Sequence, residues 1–241
     1  MCVIYFAFDT HPEHPLILLA NRDEFYDRPS QPAHYWADEP EIYAGRDLVG
    51  GGTWLGVTRS GRFAAVTNYR DPAAPTGHRS RGELVSNFLK SNRTAVEYLQ
   101  SLQRDSADYS GFNLLVGQIS SDVREICYFS NRGGDIKSLT PGIYGLSNHL
   151  LDNPWPKVAR GKFRFERLLE SEKVTPESFF DLLTDQYLAN DVDLPSTGVP
   201  FEIEKAISAI FIKTPGYGTR CSTVLTFDSS FEWDLEERVF V

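Results

Sequence analysis

The segment Cys2-Val3-Ile4-Tyr5-Phe6-Ala7-Phe8 is apolar at every position, and most of 15–21 is apolar as well. Two such runs, joined by a polar turn rich in Pro and His, read as a strand hairpin. Neither face of either run is polar, so both strands belong in the middle of a sheet that is covered on both sides. The rest of the chain has to supply those covering layers.

The remaining periodicities do so in blocks. Residues 26–41, with Pro29, Pro32 and Pro40, read as irregular. Residues 54–58 and 62–69 form a hairpin around Ser60-Gly61. In 81–104, Leu84, Val85, Phe88 and Leu89, then Val96, Leu99 and Leu102, are spaced for an apolar helix face, broken at Ser91-Asn92. Strand patterns return at 112–118, 124–130 and 143–147. A second helical block covers about 155–189, with Thr175-Pro176-Glu177 as a helix start. Strands at 206–213, 221–227 and 231–239 close the chain. No linker or repeat divides 1–241, which predicts one α+β domain with antiparallel sheets inside and helices outside.

Charge and length narrow the function classes. With 24 Lys and Arg against 33 Asp and Glu, the net charge is −9. An acidic chain is poorly suited to nucleic acid or to anionic membranes. No apolar run reaches the roughly 20 residues that span a bilayer, so membrane insertion is not expected. Residues 2–8 lack the basic flank and cleavage site of a signal peptide. Without export, a reducing cytoplasmic location is expected, in keeping with an odd cysteine count (Cys2, Cys127, Cys221). Gly50-Gly51-Gly52 lacks the ending of a phosphate loop. His11 and His14 flank Pro12 in a turn, which reads as a solvated loop and not a metal site.

Three groups carry candidate chemistry. Removal of Met1 would leave Cys2 with a thiol and a free α-amine, whose ordinary pKa of about 7.7–8.0 suits a base near neutral pH. A nucleophile with its own general base is the logic of N-terminal nucleophile catalysis. The hairpin brings the end of the second run, Asn21-Arg22-Asp23-Glu24, beside Cys2. There Arg22 is positioned to lower the thiol pKa, and Asp23 or Glu24 to hold the amine. Asn68, Asn148 and Arg220 sit at strand ends as candidate donors to an oxyanion. Trp54 offers an apolar cleft wall. The basic cluster His78-Arg79-Ser80-Arg81 opens a helix, where phosphate or carboxylate capture is an option. His78 and His149 are the candidate axial ligands if haem binds.

The motifs Met1-Cys2-Val3-Ile4, Asn21-Arg22-Asp23-Glu24, Arg28-Pro29, Gly45-Arg46-Asp47, Gly52-Thr53-Trp54-Leu55-Gly56, Thr67-Asn68-Tyr69-Arg70, Ser80-Arg81-Gly82, Gly145-Leu146-Ser147-Asn148 and Thr219-Arg220-Cys221-Ser222 occur in this order across nearly the whole chain. This set resembles the NRDE, or transport and Golgi organisation protein 2, family. That family is in turn similar to N-terminal nucleophile hydrolases of the choloylglycine hydrolase and penicillin V acylase kind. The resemblance implies a four-layer αββα sandwich. It also implies Cys2 as nucleophile, Asn68 and Asn148 as oxyanion or amine partners, and Arg220 as a nearby cation. Those hydrolases carry an Arg and, three residues later, an Asp; here Asn21 and Glu24 hold that spacing, with Arg22-Asp23 between them. Asn21, Glu24, Trp54, Tyr69, Arg81 and His149 are expected to face substrate. Two functions stay open: hydrolysis of a small-molecule amide or related acyl bond with no required cofactor, or binding and trafficking of haem or acyl-CoA without turnover.

Overall fold

In a computed structural model that describes residues 2–171 and 175–241, β1 (Cys2–Phe8) pairs antiparallel with β2 (Leu16–Phe25). A meander follows: β3 (Ser30–Tyr35), β4 (Ile42–Asp47), β5 (Leu55–Thr58) and β6 (Arg62–Asn68). Helices α1 (Gly82–Lys90) and α2 (Ala95–Asp105) precede β7 (Phe112–Ile119), β8 (Arg124–Ser130), β9 (Lys137–Ser138) and β10 (Gly142–Leu146). Then come α3 (Pro156–Leu169), α4 (Pro176–Leu183) and the short α5 (Phe201–Ala206). The chain closes with β11 (Lys213–Thr214), β12 (Tyr217–Phe227) and β13 (Trp233–Val239).

Among the described residues the strands form two antiparallel sheets. One is ordered β10-β1-β2-β12-β11, with β13 also on β12; the other is β3-β4-β5-β6-β7-β8-β9. Side-chain alternation along β1 explains the layers. Ile4, Phe6 and Phe8 pack with Leu55, Phe63 and Leu115 of the second sheet, so the sheets stack face to face. Val3, Tyr5 and Ala7 point the other way, into Phe165 of α3 and Phe179, Phe180, Leu182 and Leu183 of α4. On the far side, Leu84, Val85, Phe88 and Leu99 of α1 and α2 cover Ala64, Val66, Leu114 and Val116. Three apolar clusters thus separate four layers, helix–sheet–sheet–helix. This is the αββα sandwich, and its middle strands are the two that the sequence requires to be covered twice.

Two segments depart from expectation. Residues 26–41 are not irregular throughout: β3 occupies 30–35, and β4 begins directly after them at Ile42. β3 is an edge strand whose register shifts between Gln31 and His34 around Pro32, a residue that edge strands tolerate. Of residues 206–213, expected as a strand, only Lys213 is in one (β11), and 207–212 are not a strand. They leave α5 and run through the core as a turn, with Ile207, Ala209, Ile210 and Ile212 buried; a short apolar run does not by itself distinguish strand from buried turn. In the second helical block, Thr175 caps α4 through a reciprocal pair with Ser178. Residues 172–174 of that block lie outside the described residues, and 184–189 are not helical.

One buried amide ties the second sheet to the end of β10. The Asn113 side chain donates to Thr67 Oγ1 (3.1 Å) and to the carbonyls of Ser147 (3.4 Å) and His149 (3.0 Å), and accepts from the Tyr128 hydroxyl (2.8 Å). Asn113→Leu leaves these groups unmatched in the interior. At 1–3 kcal/mol for an orphaned group, a loss of about 3 kcal/mol is expected in denaturant unfolding. A loss below about 1 kcal/mol would show that the network relaxes around the leucine.

Candidate active site

The functional residues converge because three strands end at the same edge of the sandwich. Cys2 opens β1 on the face shared by Ile4 and Phe6, between the sheets, and pairs with Arg22 on β2. Asn68 ends β6 in the opposite sheet. Between these ends lies a cavity of about 420 Å³. Of the expected site residues, Cys2, Arg22, Asp23, Glu24, Trp54, Asn68 and Arg81 line it. Arg28, Asp47, His78 and Arg79 line it as well. Met1, whose removal the catalytic reading requires, lies outside the described residues.

The wall is strongly polar. Arg22 stacks over the Trp54 ring (4.1 Å to its centre) and donates to Ser30 Oγ (3.2 Å) and Asp47 Oδ2 (3.3 Å). Arg28 clasps both oxygens of Asp47 (2.6 and 3.1 Å), and the N–H groups of Val49 and Gly50 donate to its Oδ1. Arg79 pairs with Glu83 (2.6 Å). Arg81 has no carboxylate within ion-pair distance among the described residues; it donates to the Gly111 carbonyl (3.3 Å).

Burial alone pushes the Asp47 carboxyl up, but the Arg28 and backbone bonds outweigh it and hold Asp47 below the ordinary carboxylate range. A depressed folded-state pKa gives stability that is complete above the unfolded value and is lost as pH falls through the folded one. Asp47→Asn is therefore expected to be less stable than the wild type at pH 7. It should also lose less stability than the wild type between pH 5 and pH 3, read as melting temperature against pH. Parallel curves would remove Asp47 from the acid transition.

The Cys2 thiol is not a ready-made thiolate. Crowding by protein atoms pushes its pKa up, although the residue keeps some exposure toward the cavity. Asp23 adds to the rise and Arg22 opposes it without reversing it. Arg22 thus acts in the expected direction, but burial outweighs it, and its guanidinium is shared with Asp47, Ser30 and Trp54. Asp23 is buried, accepts from Thr219 Oγ1 (2.7 Å) through Oδ1 and from the Tyr217 hydroxyl (3.2 Å) through its carbonyl. Burial pushes its carboxyl up, and the foremost opposing charge is Lys157. Burial and the Asp23 charge likewise raise the Tyr217 phenol.

The whole chain, residues 1–241, matches the family model described as Transport and Golgi organisation 2. The chain belongs to the Transport and Golgi organisation 2 family. It is 38% identical over 259 residues to the human Transport and Golgi organization protein 2 homolog, covering 99% of this chain and 92% of that protein. It is 30% identical over 251 residues to Transport and Golgi organization protein 2 of Drosophila melanogaster, covering 95% and 88%. Among solved structures it is similar to a Caenorhabditis elegans N-acylethanolamine-hydrolyzing acid amidase ortholog, at TM-score 0.51 and 11% identity, covering 93% of this chain and 92% of that one. The fold is that of N-terminal nucleophile hydrolases.

Within this family member, five expected site residues do not line the cavity. Asn21 is buried on the helix-facing side of β2. Its amide donates to the carbonyls of Leu183 (2.8 Å) and Ile210 (2.9 Å), and its oxygen accepts from Ser222 Oγ (2.6 Å), so it joins layers instead of facing substrate. Asn148 donates to the Asn68 carbonyl (2.9 Å), and Ser147 Oγ donates to the Cys2 carbonyl (3.0 Å). Asn148 thereby positions the Asn68 strand end from behind. Arg220 sits in a bulge, between paired Thr219 and Cys221, which turns its side chain away from the cavity. It donates to the carbonyls of Phe25 (3.3 Å), Arg28 and Val241 (3.1 Å), clamping the chain's end. The Tyr69 and His149 rings meet at a tilt (5.1 Å between centres), and Trp155 also meets His149 at a tilt (5.6 Å). His78 lines the cavity and His149 does not, so the two candidate haem ligands do not share a site.

Sequence reading also passed over Lys157, Arg70, Glu204 and Tyr217. All four are drawn to Asp23 or to each other from scattered positions. Alternation on β2 was the available signal: it places Asn21 and Asp23 on the helix side, opposite Arg22 and Glu24, and so predicts that Asp23 meets residues of the helical layer.

Proposed function

We propose that this chain is an N-terminal cysteine hydrolase that cleaves a non-peptide amide, or a related acyl bond, of a small molecule. The observation that supports it most is Cys2 at a strand end, in the wall of a polar cavity, with Arg22, Asp23 and Asn68 around it. The raised thiol pKa suits this reading, because such a thiol needs a base at the moment of attack. Met1 is removed, and the α-amine of Cys2 takes the thiol proton. Sγ attacks the acyl carbon, and the Asn68 amide and backbone N–H groups stabilise the oxyanion. The C–N bond breaks, and the leaving amine takes the proton from the α-ammonium. The amine then deprotonates a water that attacks the thioester, which releases a carboxylic acid and restores the thiol. Arg22 and Asp23 orient the terminus. Similarity in fold to a protein named for N-acylethanolamine hydrolysis supports an amide of this general kind. Three free thiols fit a reducing compartment such as the cytoplasm.

A second reading, binding of acyl-CoA or haem without turnover, is favoured by Arg81, a cation left without a carboxylate in the cavity wall. Titration with each ligand, followed by absorbance and tryptophan quenching, tests it; no saturation below millimolar ligand counts against it. Haem has His78 as the only histidine in this wall among the described residues, and that side chain is 84% exposed. The histidine pair therefore does not fit an axially held haem.

The hydrolase reading is tested by intact mass and a panel of acyl amides and thioesters. The expected mass is lighter by one methionine, with an acyl adduct on Cys2 during turnover. A full-length mass would remove the base and overturn the mechanism.

A further inference from the structure

One arginine in the wall of the Cys2 cavity has no counter-charge among the described residues. Four arginines line that cavity: Arg22, Arg28, Arg79 and Arg81. Three of them are tied to carboxylates. Arg22 and Arg28 share Asp47 (3.3 and 2.6 Å), and Arg79 pairs with Glu83 (2.6 Å). Arg81 donates only to a backbone carbonyl, that of Gly111 (3.3 Å), although a guanidinium carries five N–H donors.

The carboxylates of the wall are committed elsewhere. Asp47 takes both of its arginines and the N–H groups of Val49 and Gly50. Glu24 accepts from the Phe25 N–H (3.0 Å) and lies 3.9 Å from Arg28. Asp23 accepts from Thr219 on the helix side of β2. Two arginines thus share one carboxylate, and Arg81 has none. The protein as a whole carries −9, so this excess of positive charge is local to the wall.

Arg81 is half-buried, and its guanidinium gives up part of its hydration there. An incoming oxyanion replaces that hydration with charge-assisted hydrogen bonds, and the planar fork matches two oxygens of a carboxylate or phosphate. Cys2 and Arg81 stand in the wall of one cavity, so a single molecule can touch both. At about 420 Å³ the cavity lies near the lower end of the roughly 300–1,000 Å³ of small-molecule sites, which selects a compact ligand. Its apolar lining is limited to Val49, Trp54 and Val66, so charge and polar contacts set the choice.

We propose that Arg81 is a specificity-determining residue of the Cys2 site: its guanidinium takes an oxyanion group, carboxylate or phosphate, that a compact acyl substrate carries close to the scissile bond. The proposal rests on the reading of Cys2 as the nucleophile and adds to it the charge of the substrate.

The test is alkylation of Cys2 on the full chain, read by peptide mass spectrometry. N-iodoacetyl-β-alanine presents a carboxylate and N-iodoacetyl-O-phosphoethanolamine a phosphate; the methyl amide of the first is the neutral reference. The ratio of charged to neutral rate at one pH cancels any change in thiol reactivity. Cys127 and Cys221 are buried and report separately. Arg81→Gln removes the charge and keeps a donor for Gly111. It is expected to lower the ratio about tenfold for at least one anionic probe, the scale of one hydrogen bond to a charged group. The probe with the larger fall names the oxyanion. Arg81→Lys, which keeps the charge but not the fork, should lie between. Should Arg81→Gln fail to fold, by circular dichroism, the wild type is compared with N-acetylcysteine amide as a free thiol. A wild-type ratio no higher than that of the free thiol, for both anionic probes, overturns the proposal. So does a folded Arg81→Gln with the wild-type ratio. An equal fall in Arg79→Met also overturns it, since the field of the whole wall, and not Arg81, would then be responsible. Alkylation needs no turnover, so an acyl panel without products would leave the charge preference in place. Turnover of neutral amides with a flat ratio would keep the hydrolase and discard the oxyanion, and the two readings fail separately.

Discussion

Cys2→Ala is expected to abolish turnover of any acyl substrate found for this chain, by a factor on the order of 10⁶ or down to background. The sulfur is the only atom in the proposed mechanism that bonds to the acyl carbon, so no neighbouring group substitutes for it. Stability should hardly change. Cys2 is partly exposed at a strand end, and the bond of its sulfur to the Asp23 backbone is a weak one, so the change should stay within about 0.5 kcal/mol. Cys2→Ser sharpens the test. It keeps the α-amine and the shape but offers a hydroxyl that is far harder to deprotonate, and it should fall nearly as far as alanine. Substrate should still saturate Cys2→Ala in a binding assay, because the arginines of the cavity wall are intact. Retained turnover in the alanine variant would sink the covalent mechanism. If the wild type turned nothing over and both forms bound one ligand equally, the binding reading would be left standing.

Legibility in the sequence follows a physical divide. Apolar periodicity is local, and it exposed β1, β2, the α1–α2 pair and the Thr175 cap. Two-sided burial of the first hairpin then forced the layered architecture. β3 escaped because an edge strand need not be apolar, and 206–213 misled because a buried turn is as apolar as a strand. At the site, Cys2, Arg22 and Asp23 were visible because adjacent hairpin ends must meet. Asn68 was visible as a donor at a strand end, and Arg81 as part of the basic cluster that opens a helix. Arg220 failed for a reason that composition does not carry: a single-residue bulge in β12 redirects one side chain, and only the register reveals it. Asn148 failed because an amide that faces a site and an amide that braces one are the same residue type. Lys157 could not have been singled out at all, since a lysine in a helical block normally means a solvated face. Its burial becomes odd only once α3 is docked over β1.

Glu204→Gln is expected to destabilise the protein by about 3–5 kcal/mol, the usual cost of leaving one member of a buried ion pair uncompensated. Arg70 and Glu204 are 5% and 4% exposed, and Thr197 Oγ1 also donates to Glu204. Glutamine preserves shape and removes the charge, and with its oxygen toward Arg70 its NH2 can donate to a Thr197 hydroxyl turned to accept, so the loss is chiefly that of charge. For a chain of this length it should lower the melting temperature by roughly 10 °C or more. Replacing both partners, as Arg70→Met with Glu204→Leu, should recover much of that loss, because two apolar chains of similar volume carry no desolvation penalty. Function should not recover with it. Arg70 stacks on Trp155 (4.6 Å), its backbone N–H donates to the Asn148 carbonyl (2.7 Å), and its Nη2 reaches Asn148 Oδ1 (3.5 Å). Asn148 in turn holds the carbonyl of Asn68 in the cavity wall. The double variant should therefore melt close to the wild type while Cys2 labelling and any acyl turnover stay impaired, because the charge balance around Asp23 has been altered and the brace behind Asn68 weakened. A double variant that regains both stability and the wild-type rate of Cys2 labelling would show that the buried pair serves the fold alone.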